Sequence, residues 1–128
     1  ENAILQFHGD EEDSFCRQFD QLFWKTIRVK DSQSLEAIND FPSADAILLE
    51  TFSQDAYGGT GKVFDWGLLE KISVQRKFVL AGGINPKNIK EAVSVDPWCI
   101  DVNSGVESSV ALKDKALMDE IIKNINNG

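Results

Sequence analysis

The stretch "VLAGGINPKNIKEAV", residues 79–93, decides how the rest of the chain is read. An apolar run ends in paired glycines, Gly82 and Gly83, and a segment opened by Pro86 follows with helical spacing. That is the pattern of a strand whose C-terminal loop meets a helix N-terminus, where proline is tolerated in the first turn. The glycines permit a tight turn and leave backbone N–H groups open to an anion.

The same alternation recurs along the chain. Short apolar runs rich in β-formers lie at AILQFHG (3–9), WKTIRV (24–29), DAILLET (45–51), KFVLAGG (77–83) and WCIDVNSG (98–105). Between and after them, helical spacing is read at DEEDSFCRQF (10–19), DSQSLEAIND (31–40), FDWGLLEKIS (64–73), PKNIKEAVS (86–94) and KDKALMDEIIKNI (113–125). Asp31 and Asn85 stand where helix caps are expected, and the acidic 10–13 run suits a helix N-terminus. In the last segment Leu112, Ala116, Leu117, Ile121 and Ile125 fall roughly on one stripe. Five βα units predict parallel strands joined by right-handed crossovers, either in an open doubly wound sheet or in part of a closed (β/α)8 barrel.

Both architectures bind ligands at the C-terminal ends of their strands, and unusual residues collect there. Gln6 and His8 alternate on one face at the end of the first run, Glu50 ends the third, and Gly82 and Gly83 end the fourth. Asp101, Asn103, Ser104 and Gly105 end the fifth. Singly, each polar residue reads as a solvated loop position and each glycine as a tight turn; together they predict a polar mouth with an anion site in the last two loops. The segment AYGGTGKVFDW (56–66) lacks the GxxxxGK[ST] spacing, because Val63 follows Lys62, and is read as an active-site loop hinged on Gly58, Gly59 and Gly61.

Composition bounds the classes. The 128 residues are the size of one domain, with 42% hydrophobic and 27% charged residues. A net charge of −8 without a basic stripe argues against a nucleic-acid partner. No apolar run is long enough to span a membrane and no signal segment is visible, so a cytoplasmic protein is expected. Cys16 and Cys99 have no metal-ligand spacing and are read as reduced thiols, with a disulfide the lesser alternative.

In order and spacing, LQFHGDE (5–11), ILLET (47–51), GGTGKVFDW (58–66), LAGGINPKNI (80–89) and DVNSGVE (101–107) followed by KD (113–114) resemble the C-terminal five βα units of phosphoribosylanthranilate isomerase. The resemblance covers essentially the whole chain. It implies strands four to eight of a (β/α)8 barrel and an Amadori rearrangement of an anionic phosphosugar, N-(5-phosphoribosyl)anthranilate, in tryptophan biosynthesis, without metal or organic cofactor. It also implies that Glu50 is the general acid, in the place of the family's Asp, and that Gly82, Gly83, Ser104 and Gly105 hold the phosphate. Gln6, His8 and Asp101 would line the pocket. The family's base, a Cys on the first strand, and its carboxylate-binding Arg after the second have no counterpart here.

Five strands of a barrel leave two open edges and an uncovered inner face. The expectation is therefore a piece inactive alone, which self-associates or is completed by an N-terminal barrel segment. The alternatives are an inactive phosphate-binding or assembly half-barrel module, and a related phosphosugar epimerase or synthase. GGTGKVFDW disfavours the latter.

Overall fold

A computed structural model describes residues 3–52, 63–71 and 76–127. Five parallel strands form one sheet in chain order: β1 (Ile4–Phe7), β2 (Leu22–Val29), β3 (Ala46–Thr51), β4 (Phe78–Leu80) and β5 (Cys99–Ile100). Strand order follows chain order without reversal, so the doubly wound alternative, which needs a switch point, is excluded.

The two faces of the sheet are unlike. Phe23, Ile27, Val29, Ile47, Leu49, Phe78 and Leu80 point to one face and are buried under residues of every helical segment, including Cys16, Leu35, Trp66, Leu69, Ile89 and Ile121. Ala46, Leu48, Val79 and Ala81 point to the other, where the half-buried Trp24 and Cys99 pack against them. Helices on one face alone are the arrangement of a barrel wall, whose inner face is filled by its own side chains.

The helical segments are shorter and tighter than the spacing predicts. The first is α1 (Asp13–Cys16) continued by the 3-10 turn Arg17–Phe19. Within the segments predicted at 31–40 and 64–73, the described residues form the 3-10 helices Ser34–Asp40 and Trp66–Lys71 rather than α-helices. Asp31 does cap the former, its Oδ1 accepting from Ser34 N at 3.0 Å. The acidic run is split: Asp13 opens α1 and accepts from Ser43 N and Oγ at 3.1 and 2.9 Å, whereas Glu11 turns to Lys25. In 86–94 the α-helix α2 covers Ile89–Ser94, after a turn in which Asn85 Oδ1 accepts from Lys87 N at 2.8 Å.

The last segment departs most from its predicted stripe. Leu112 lies in a two-stranded antiparallel hairpin, β6 (Glu107–Ser109) with β7 (Leu112–Lys113), and is exposed. The helix α3 (Lys115–Asn126) begins after it, capped by Asp114, whose Oδ1 accepts from Ala116 N and Leu117 N at 2.8 and 3.2 Å. It buries Ile121 and partly Leu117, while Ala116, Met118, Ile122 and Ile125 remain exposed. Both cysteines are free, Cys16 buried and Cys99 half-buried. Burial pushes the Cys16 thiol pKa up, as expected for an inert core thiol.

Candidate active site at the strand ends

Parallel pairing brings the C-terminal ends of all five strands to one side of the sheet. Register then sets which residues share its inner face there. Gln6 pairs with Trp24 and Arg28 with Glu50, so Gln6, Thr26, Arg28 and Glu50 project to the face that carries Leu48 and Val79. Gln6 Nε2 reaches Thr26 Oγ1 at 3.4 Å, and Arg28 Nε lies 3.4 Å from Glu50 Oε1. Neither Thr26 nor Arg28 was singled out above. Alternation within WKTIRV places both on the Trp24 face, and that is the signal which finds them.

The loop after β4 is held by its own asparagines. Gly82 and Gly83 have φ of 85° and 71°, in the left-handed region open to glycine at little cost. Asn88 Nδ2 and Asn85 Nδ2 donate to Gly83 O at 2.9 and 3.3 Å, and Asn88 Oδ1 accepts from Asn85 N at 2.8 Å. A Cβ on Gly82 would stand 3.1 Å from Thr51 N and 3.6 Å from Glu50 Cβ, so this loop runs directly beside the carboxylate-bearing strand end.

The loop after β5 packs onto it. A Cβ on Gly105 would overlap Ile84 O and stand 2.7 Å from Ile84 C and 3.0 Å from Asn85 Cα, a clash that only glycine avoids. Ser104 opens the short 3-10 turn Ser104–Val106 and is exposed. Lys113 anchors the far side of this loop, Nζ donating to Asn103 O at 3.0 Å and to Asn103 Oδ1 and Glu107 Oε1, both at 2.5 Å. Lys113 holds the Glu107 carboxyl below its ordinary pKa, with a further bond from Ala111 N.

Of the residues predicted for the site, Glu50 thus stands beside the Gly82–Gly83 loop, and Gly105, next to Ser104 in the chain, packs against Ile84 and Asn85 that follow that loop. Asp101 follows β5 and is exposed, its N–H donating to Leu80 O at 2.9 Å. Gln6 and His8 stand at the β1 edge, also exposed. Gly58, Gly59 and Gly61 lie outside the described residues. Among the described residues no cluster of three or more His, Cys, Asp or Glu has the geometry to hold a metal, and no helix is long and apolar enough to cross a membrane.

Residues 1–124 match the family described as N-(5′-phosphoribosyl)anthranilate isomerase. The chain belongs to the phosphoribosylanthranilate isomerase family. It is 45% identical over 125 residues to the N-(5′-phosphoribosyl)anthranilate isomerase of Neisseria meningitidis serogroup C, covering 96% of this chain and 60% of that relative. The chain therefore spans about 60% of the length of the curated relatives it matches. Its fold superimposes on the phosphoribosylanthranilate isomerase of Thermotoga maritima with a TM-score of 0.85 at 36% identity, covering 98% of this chain and 62% of that one. A second isomerase of this family matches with a TM-score of 0.77 at 30% identity, covering 98% of this chain and 60% of that one. That enzyme was crystallised with reduced 1-(o-carboxyphenylamino)-1-deoxyribulose 5-phosphate. The parallel α/β sheet is thus the barrel wall of this family, as the strand order already indicates.

Proposed function

We propose that this chain supplies the phosphate site and the general acid of a cytoplasmic phosphoribosylanthranilate isomerase of tryptophan biosynthesis. It acts as strands four to eight of a (β/α)8 barrel, one partial-barrel domain over residues 1–128. The observation that carries the reading is the meeting of three strand ends, with Glu50 beside the Gly82 loop and Gly105 seated against Ile84. Two interlocked glycine loops offer N–H groups to a phosphate, and a carboxyl stands next to them on the same rim.

The rearrangement needs a proton given to the ribose ring oxygen as its bond to C1′ breaks, while the anilino nitrogen's lone pair forms C=N. A base then removes the proton from C2′. Glu50 is the donor of the first proton. The base comes from the N-terminal barrel segment, strands one to three, which also closes the barrel: among the described residues β1 and β5 each have one strand neighbour, and Ile4, Leu22 and Trp98 are exposed. Without that segment the chain is inactive and self-associates.

The test is turnover of N-(5′-phosphoribosyl)anthranilate by the full-length protein carrying this chain. Glu50→Gln is expected to lower kcat by about 10²-fold or more, the usual contribution of a positioned acid. An unchanged kcat would remove Glu50 from the chemistry. A wild-type protein that binds millimolar phosphate without turnover would favour the binding module.

A further inference from the structure

Glu50 carries one methylene more than the aspartate it replaces, and so one more torsion to restrain before a proton can be aimed. The structure puts a cation on one flank of that side chain and bare backbone on the other. From β2, Arg28 is in direct register with Glu50, and its Nε stands 3.4 Å from Oε1. From the β4 side Gly82, which offers no side chain, runs beside Glu50, and among the described residues Arg28 is the cation paired with the carboxyl.

We infer that Arg28 is a positioning residue for Glu50, drawing the longer acid toward β2 and assigning its two oxygens separate tasks. This rests on the isomerase reading above. A guanidinium has donors and no acceptor, so the Oε1 lone pair it engages cannot carry the transferable proton. Oε2, turned away from the guanidinium, is the oxygen assigned to deliver the proton. When Oε2–H gives it to the ribose ring oxygen, the negative charge left on Glu50 forms beside the guanidinium, a charge-assisted pair ready before the step begins. The Arg28 and Glu50 side chains keep 59% and 33% of their surface exposed, so the pair adds little to stability. Its consequence is geometric.

The test uses the full-length protein carrying this chain with Arg28→Gln, Glu50→Asp and the double variant. Arg28→Gln is expected to lower kcat by about 10- to 100-fold, as a misplacement near 1 Å does, with KM and the unfolding midpoint unchanged. In the Glu50→Asp background the same change is expected to cost under about 3-fold, because the shorter acid needs no restraint. NMR couplings that read the Glu50 side-chain rotamer in the unliganded protein are expected to show one rotamer in the wild type and averaging in Arg28→Gln. A raised KM with kcat kept would make Arg28 a substrate contact and overturn the inference. Equal losses in both backgrounds, or one rotamer in both proteins, would overturn it as well. A wild type without isomerase activity but with the rotamer coupling would overturn the function reading alone.

Discussion

The outer and inner faces of the sheet are built from the same strands yet finished to different degrees. On the outer face Ile47, Leu80 and Ile89 are wholly buried, and every helical segment contributes a buried residue to one continuous core. On the inner face a small cluster of alanine, valine and leucine is sealed at its centre, while Trp98 keeps 53% of its surface exposed and packs edge-on against Trp24. The outer face is completed by local connections, because each helical segment lies next in sequence to the strands it covers. On the proposed reading the inner face is completed by the strands that close the barrel. The difference teaches that local connections bury one face of this sheet and leave large apolar side chains exposed on the other.

Two large-to-small changes break or sharpen that contrast in the full-length protein. Leu80→Ala on the outer face is expected to cost about 4 kcal/mol in chemical denaturation, whatever lies beyond this chain. Trp98→Ala is expected to cost about 3 kcal/mol there if further strands cover the inner face. A value under about 1 kcal/mol, typical of surface substitutions, would mean that Trp98 stays in water and the barrel does not close over it.

A smaller effect probes a buried cation of the outer face. Lys25 is only 4% exposed, its Nζ donating to Gly9 O at 2.7 Å and to Glu11 Oε2 at 2.9 Å, with the Phe41 ring 4.9 Å away. Lys25→Met is expected to cost about 2 kcal/mol, less than for a wholly buried pair because Glu11 can rehydrate. The bond from Lys25 is the main cause holding the Glu11 carboxyl below its ordinary pKa. A depressed carboxylate stabilises the fold above its unfolded pKa, and that contribution disappears as pH falls through the lower folded value. Stability curves of wild type and Lys25→Met should therefore converge in acid, and parallel curves would show that Glu11 is not the partner that matters.

The smallest effect concerns α3, which packs on the outer-face core through Ile121 and Leu117. Asp114→Ala removes the cap of α3 and is expected to cost about 1 kcal/mol, read as a lowered unfolding midpoint. The loss should be local, with faster amide exchange at Ala116 and Leu117, the two N–H groups that Asp114 satisfies.

Much of the fold was legible because the signals are local. The alternation of short β-rich runs with helical spacing placed all five strands, and the capping role of Asp31 followed from residue type alone. The helical segments at 31–40 and 64–73 were misread in kind, since 3-10 and α-helices share nearly the same apolar spacing over two turns. The hairpin Glu107–Lys113 broke the stripe drawn through Leu112. Its reversal depends on Ala111 at a φ of 61° and on the Glu107 carboxylate accepting from Ala111 N and Lys113 Nζ, contacts that no periodicity announces.

At the candidate site the division is the same. By itself the sequence determined that glycines and polar residues end the strands, and through its motifs it pointed to the isomerase family that the comparisons bear out. Only the tertiary structure decided that Arg28 stands opposite Glu50, that Gly105 seats against the Ile84 carbonyl, and that the inner face is left open at Trp98. Side-chain period is written along a strand, residue by residue. Register between strands is set by the summed packing of both faces, and a shift of one residue would have turned Glu50 away from the mouth.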